Sequence, residues 1–358
     1  MRVLIFIFYF LLIHCLASVA QPCSEDAKTK KGSWEKTADF NYFAPTVHPE
    51  TKKNINAIKL LLDTIAGIFI RSNPRPVGAS AEWQRYLEAE KDSVTSPDPS
   101  FTNYQFVASF YPFICSKGVV KPFSQTDIWL YVHVNGYWPS GHTLQHEINK
   151  TLGEKLFTLP PRKGVLNGYP LFEPIPRGEK DNPKLFFYSV LIHQPGKFPY
   201  LPVTRAEFFA LNKKLIDQKE KEYQQGLEFQ RNRQGEEWYR KESERVRKQF
   251  QATRDNLNKL EKAYAAELNE PVYLKTWEWT LRSVEIANPA NKDIFVSPSE
   301  GFQLVRSNPD YVNKNKARWK PQFIWIKWYK PVGNPAAIEL DNLLKNQFDF
   351  SKLGKLLN

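Results

Sequence analysis

Apolar positions along the chain change period several times, and each change marks an element. Thr51 to Phe69 places Ile55, Ile58, Leu61, Leu62, Ile65, Ile68 and Phe69 at three- and four-residue steps. That spacing predicts a helix with one buried stripe, ended by Asn73-Pro74-Arg75-Pro76. A further short helix is expected near Trp83 to Glu90. The period then shortens to two. Tyr104 to Cys115 and Asp127 to Val134 are rich in β-branched and aromatic residues, with Ile128, Leu130, Val132 and Val134 alternating, so both read as strands. Lys184 to His193 reads as another strand within a proline-crowded stretch. After it, Thr204-Arg205-Ala206-Glu207 has the form of a capping box opening a helix.

The helical region runs to about Leu268 with no proline inside it, carrying 15 basic and 12 acidic residues over positions 204 to 268. Its two halves each carry an apolar stripe, and between them Gln230 to Gly235 has no apolar side chain. One rod of this length would reach ~95 Å at 1.5 Å per residue. An antiparallel hairpin broken near Asn232 to Gly235 is therefore preferred over a single bent helix. Beyond Pro271, the segments Tyr273 to Ile286, Asp293 to Val296 and Gln322 to Tyr329 read as strands, and Ile338 to Leu357 as a terminal helix with a packed tail.

The expected fold class is α+β: one or two aromatic-rich, mostly antiparallel sheets with an inserted, charged helical hairpin at about 205–268. The expected organisation is a signal segment over 1–20, an N-terminal arm over 21–50 and an α+β region over 51–203. The hairpin or long helix follows over 204–268, and a strand-rich C-terminal region with a terminal helix over 269–358. Whether the strand blocks on either side of the hairpin share a sheet is left open by the pattern.

The first 20 residues change the compartment. Arg2, an apolar run from Val3 to Leu16, and small residues at Ser18 and Ala20 have the form of a cleaved secretory signal. Its loss removes one ionic side chain and leaves +11 of the formal +12. No later segment is uniformly apolar enough to span a bilayer, so the mature chain is expected to be secreted or periplasmic without a transmembrane segment. Cys23 and Cys115 survive cleavage. In an oxidising compartment they either pair or leave one buried and one free.

Candidate chemistry is sparse. His142 and His146 stand four apart, a spacing that could share a metal with Glu147 or a distant carboxylate as the third ligand. Thr143 after the first histidine and Gln145 before the second separate this spacing from both zincin patterns. There is no nucleophile elbow, glycine-rich phosphate loop, dinucleotide fingerprint or Cys-x-x-Cys pair, and no cofactor is expected. The basic stretch Asn313 to Lys320 lies among aromatics, but the secretory signal argues against nucleic acid as a partner. Tyr137, Trp138, Trp277, Trp279, Trp319, Trp325 and Trp328 are candidates for a sugar- or peptide-stacking platform, with Trp319, Trp325 and Trp328 the main candidates. The reading that follows is a non-enzymatic envelope protein binding a macromolecular partner or a glycan. The alternative is a secreted metal-dependent hydrolase using His142 and His146.

Three phrases, Pro199-Tyr200-Leu201-Pro202-Val203-Thr204-Arg205-Ala206-Glu207, Ser307-Asn308-Pro309-Asp310-Tyr311 and Pro321-Gln322-Phe323-Ile324, resemble segments of uncharacterised secreted proteins of Bacteroidota. The likeness covers about the last 160 residues. It implies an envelope location in a Gram-negative bacterium and supplies no activity and no site residues.

Overall fold

The computed structural model describes residues 23–37, 48–87, 101–136, 147–173, 187–275, 294–329, 331 and 333–357. The fold is α+β. A large sheet runs in the order β1-β2-β3-β5-β13-β9-β8-β7, with β4 pairing β3, and a small sheet is built from β10, β12 and β11 with β6 also on β12. Its strands are β1 (Trp34–Lys36), β2 (Ala79–Leu87), β3 (Tyr104–Ser116), β4 (Val119–Pro122), β5 (Ile128–Val134), β6 (Leu156–Leu159) and β7 (Arg162–Leu166). There follow β8 (Tyr169–Phe172), β9 (Phe187–Ile192), β10 (Tyr200–Pro202), β11 (Tyr273–Leu274), β12 (Phe302–Ser307) and β13 (Ile324–Tyr329). β1 joins β2 in parallel, and the other pairings of the described strands are antiparallel. β13, from the far end of the chain, lies between β5 and β9, so the strand blocks before and after the helical region share the large sheet.

Alternation along the strands sorts side chains into two faces. Ala81 and Trp83 of β2, Phe106 and Ala108 of β3, Leu130 and Val132 of β5, and Ile324, Ile326 and Trp328 of β13 fill one face. Helix α3 (Ile55–Ser72), which follows α1 (residues 23–29) and α2 (Pro49–Lys53), lays Ile58, Leu62, Ile65 and Phe69 over them, joined by α7 (Pro335–Asn346) through Leu340 and Leu344. On the other face, Leu191 and Trp325 meet Phe157, Leu159 and Val305 of the small sheet. The small sheet's far side packs Leu156, Leu274 and Leu304 under α5 (Arg205–Gln234) and α6 (Glu236–Ala263). The result is four layers, helix, sheet, sheet and helix.

The helical region is a hairpin. Thr204 and Glu207 form the capping box, and the break falls at Gly235, whose φ of 90° and ψ of 161° suit glycine alone. Pairs Lys213–Glu261, Arg254–Asp217 and Arg254–Glu220 tie the two helices antiparallel. The first three turns bury Phe208, Leu211, Leu215 and Ile216, while further out Leu227 and Val246 are buried between the helices.

The helix expected near Trp83 is corrected. Trp83 lies in β2, where Ala79, Ala81, Trp83 and Leu87 are buried on one parity and the whole segment pairs with β3, a strand pattern. Within the N-terminal segment, residues 23–29 are helical and Trp34–Lys36 adds an edge strand. There Gly32 lies so close to Ala79 that a Cβ would run into the Ala79 carbonyl oxygen. Of the strand expected over Tyr273 to Ile286, Tyr273–Leu274 pairs with β12, and the stretch after Lys275 lies outside the described residues. Cys23 and Cys115 are joined, their Cα atoms 5.6 Å apart, which fastens the N-terminal helix to the end of β3. Among the described residues no helix is long and apolar enough to cross a membrane.

Candidate functional site

Of the tryptophans singled out from sequence, the described Trp319, Trp325 and Trp328 do not form an exposed platform. Trp325 and Trp328 have no exposed surface, because β13 is a central strand covered on both sides. Trp328 packs under α7 and donates from Nε1 to Asp341 at 2.8 Å, while Trp325 lies against Phe172 between the sheets with ring centroids 5.2 Å apart. Trp319 is half-buried beside the first core, with Lys320 Nζ 4.5 Å from its ring centroid. The structure thus separates these three rings. Tyr137, Trp138, His142, His146, Trp277 and Trp279 lie outside the described residues. Glu147 opens the short helix α4 (Glu147–Leu152), and its side chain is likewise outside the description. Among the described residues no group of three His, Cys, Asp or Glu gathers as a metal site.

Another aromatic surface does form. On the second face of the large sheet, where the small-sheet core ends at Trp325 and Leu191, the register continues with mixed aromatic and polar residues. β5 contributes Trp129, Tyr131 and His133, stacked in a ladder with successive centroids 6.0 Å apart and interplanar angles of 17° and 14°. Residues two apart on a strand share a face, which is why these rings line up. Trp129 and Tyr131 are half-buried. Beside them, Gln105 of β3 lies opposite His133 and Tyr86 of β2, and Gln84 donates to the Tyr86 hydroxyl. On the other flank, Lys327 of β13 lies directly opposite Tyr131 on one side and Ser189 of β9 on the other. Its Nζ is 4.2 Å from the centroid of Phe187 and 5.5 Å from that of Tyr131.

Burial tunes the ionisable members of this face. Loss of water pushes Lys327 down to about 8. Burial, reinforced by the Lys327 charge, pushes His133 down to about 3, so its imidazole is neutral at ordinary pH. Tyr131 is pushed up to about 12 by burial and then by Tyr86, and stays a phenol. The face therefore offers flat rings for stacking, neutral donors and acceptors, and one amine of lowered basicity.

A cleft of about 430 Å³ adjoins this region, lined by Arg162, Phe172, Phe198, Tyr200, Tyr273 and Gln303. Phe172 is the cross-strand neighbour of Ser189, which brings the cleft up to the same face. On its wall Phe198 and Tyr200 are tilted against each other with centroids 5.3 Å apart, and His193 packs behind Phe198 at 4.6 Å.

Sequence reasoning identified β5 as an alternating strand through its buried members and passed over Trp129, Tyr131 and His133, which occupy the opposite parity. That alternate set was the available signal. The meeting of Lys327 with Tyr131 and Ser189 depends on strands almost 200 positions apart and has no local signature. The fold and site define an α+β protein with an aromatic, amine-bearing sheet face. No family model, curated protein or solved structure matches the chain.

Proposed function

We propose that this chain is a secreted or periplasmic envelope protein that binds a glycan, without turning it over, on the aromatic face of its large sheet. The observation that carries this reading is the Trp129–Tyr131 stack, half-buried and edged by Gln84, Tyr86 and Gln105. Flat rings bury the apolar faces of sugars, and flanking amides and phenols answer their hydroxyls. The Cys23–Cys115 disulfide fits an oxidising compartment and supports the location.

A glycan array probed with the purified protein tests the proposal. Retention of a defined glycan, weakened at least ~10-fold by Trp129→Ala, corresponds to ~1.4 kcal/mol and is the expected result. No retained glycan at low salt, or retention unchanged in Trp129→Ala, overturns it.

The hairpin supports a second reading, in which a protein partner of the envelope docks on α5 and α6. Phe229 near the tip is 76% exposed and Tyr223 is 59% exposed, an unusual placement for large rings on an otherwise charged arm. Loss of a co-purifying partner in Phe229→Ser, with the same partner retained by Trp129→Ala, favours this reading over the first.

A further inference from the structure

We infer that Lys327 is a nucleophilic amine that captures an aldehyde as an imine, with the Ser189 hydroxyl holding the carbonyl oxygen during the addition. The inference stands apart from the glycan reading and uses the floor of the same face. Lys327 and Ser189 are direct cross-strand partners on β13 and β9, a placement that sets their Cβ atoms ~4.5–5.5 Å apart on one side of the sheet. The Lys327 amine is seated against the rings of Phe187 and Tyr131. Lys327 as a residue keeps part of its surface exposed, and that is the side left open to a small ligand.

The second observation is Ser189. Its side chain is 1% exposed, and among the described residues its Oγ has no hydrogen-bond partner. A buried hydroxyl left without a partner costs stability, and such groups are rare away from sites of function. Here the hydroxyl belongs to the cross-strand partner of Lys327, on the same side of the sheet, where the oxygen of an incoming carbonyl would accept its hydrogen. The groups facing Lys327 favour the neutral amine. His133 is uncharged, Tyr131, Tyr86 and Tyr329 are held as phenols by burial, and Ser189 and Phe187 carry no charge. With Lys327 titrating at about 8, roughly a tenth of it is unprotonated at pH 7, against less than about a thousandth for an ordinary lysine.

The step balances without an oxidant or reductant. The neutral Nζ donates its lone pair to the carbonyl carbon while the carbonyl π electrons move to oxygen. A proton passes from nitrogen to that oxygen, giving a carbinolamine. The nitrogen lone pair then forms the C=N bond as the hydroxyl leaves with a proton as water. Amine and aldehyde become imine and water.

Limited labelling of the full, folded chain with glycolaldehyde and cyanoborohydride, followed by peptide mass mapping, tests this. Lys327 is expected to be modified at least about 5-fold faster than the median of the other lysines at pH 7. Its rate should rise to a half-maximum near pH 8, and denaturation should erase the selectivity. Ser189→Ala should slow Lys327 alone. A Lys327 rate at or below the median overturns the inference, since a lysine that is merely packed reacts slowly. Selective labelling that Ser189→Ala leaves unchanged overturns the role given to Ser189.

Discussion

His133 shows how one buried side chain ties stability to pH. Its folded-state pKa of about 3 lies below the ~6.5 of an unfolded histidine. Between these values the unfolded chain binds a proton that the native protein refuses. The stability His133 permits is therefore complete above about 6.5 and declines as pH falls towards 3, at up to ~1.4 kcal/mol per pH unit. Urea midpoints at pH 7 and pH 4.5 check this. The wild type should lose more stability across the interval than His133→Leu, and equal losses would remove His133 as the cause. Trp325 and Trp328 carry a different lesson. Ile324, Trp325, Ile326 and Trp328 form an apolar run on both parities, which is the mark of a strand covered on both sides. Read as ring chemistry they suggested a binding platform, and read as a pattern they point to the core.

At the scale of elements, the hairpin was the most legible part of the sequence. Thr204 and Glu207 announced its start, and the apolar gap from Gln230 to Gly235 announced its break. Both signals are local, so both survive without knowledge of the fold. Two glycines on this arm should respond in opposite directions to alanine. Gly235→Ala meets no atoms, yet its backbone sits in a region open only to glycine, so a cost of ~1–3 kcal/mol confined to the arm is expected. Gly226→Ala, inside α5 with open space around it, should gain up to ~1 kcal/mol. Amide hydrogen exchange resolves the two: faster exchange across the outer turns in the first variant, slower in the second, and the large sheet unchanged in both. If Gly235→Ala leaves the arm's exchange rates unchanged, the break is not held by that backbone conformation. β3, β5, β9 and β13 were legible as elements but not as neighbours, whereas β2 was read as a helix and β6, β7, β8, β10 and β12 went unread. Trp83 was misplaced because its half-buried partners Glu82, Gln84 and Arg85 look like the polar side of a helix. The candidate site was hidden for a related reason, since Tyr131, Ser189 and Lys327 come from three strands whose order in the sheet is set by long-range packing.

On the scale of the whole molecule, the disulfide is the strongest single constraint outside the core. It spans 92 positions and fixes the N-terminal helix against β3. In the chain-entropy account a loop of this size contributes ~4–5 kcal/mol. Thermal unfolding with and without reductant, and of the paired Cys23→Ser, Cys115→Ser variant, should show a matching fall in Tm. An unchanged Tm in the variant would mean that the helix and the edge strand hold without it. The same long reach governs the layers. Helices α3 and α7 cover one face of the large sheet and the small sheet covers part of the other, so neither strand block can bury its apolar residues alone.

β13 sets the order in which this protein can come into being. The large sheet's seam, between β5 and β9, is filled by residues 324–329. A chain emerging from its N-terminus has made every other strand of that sheet before the one that joins them exists. The two halves must wait apart, with their inner edges open, until nearly all of the chain has appeared. That order makes the exposed edges of β5 and β9 the places where a folding helper would be needed.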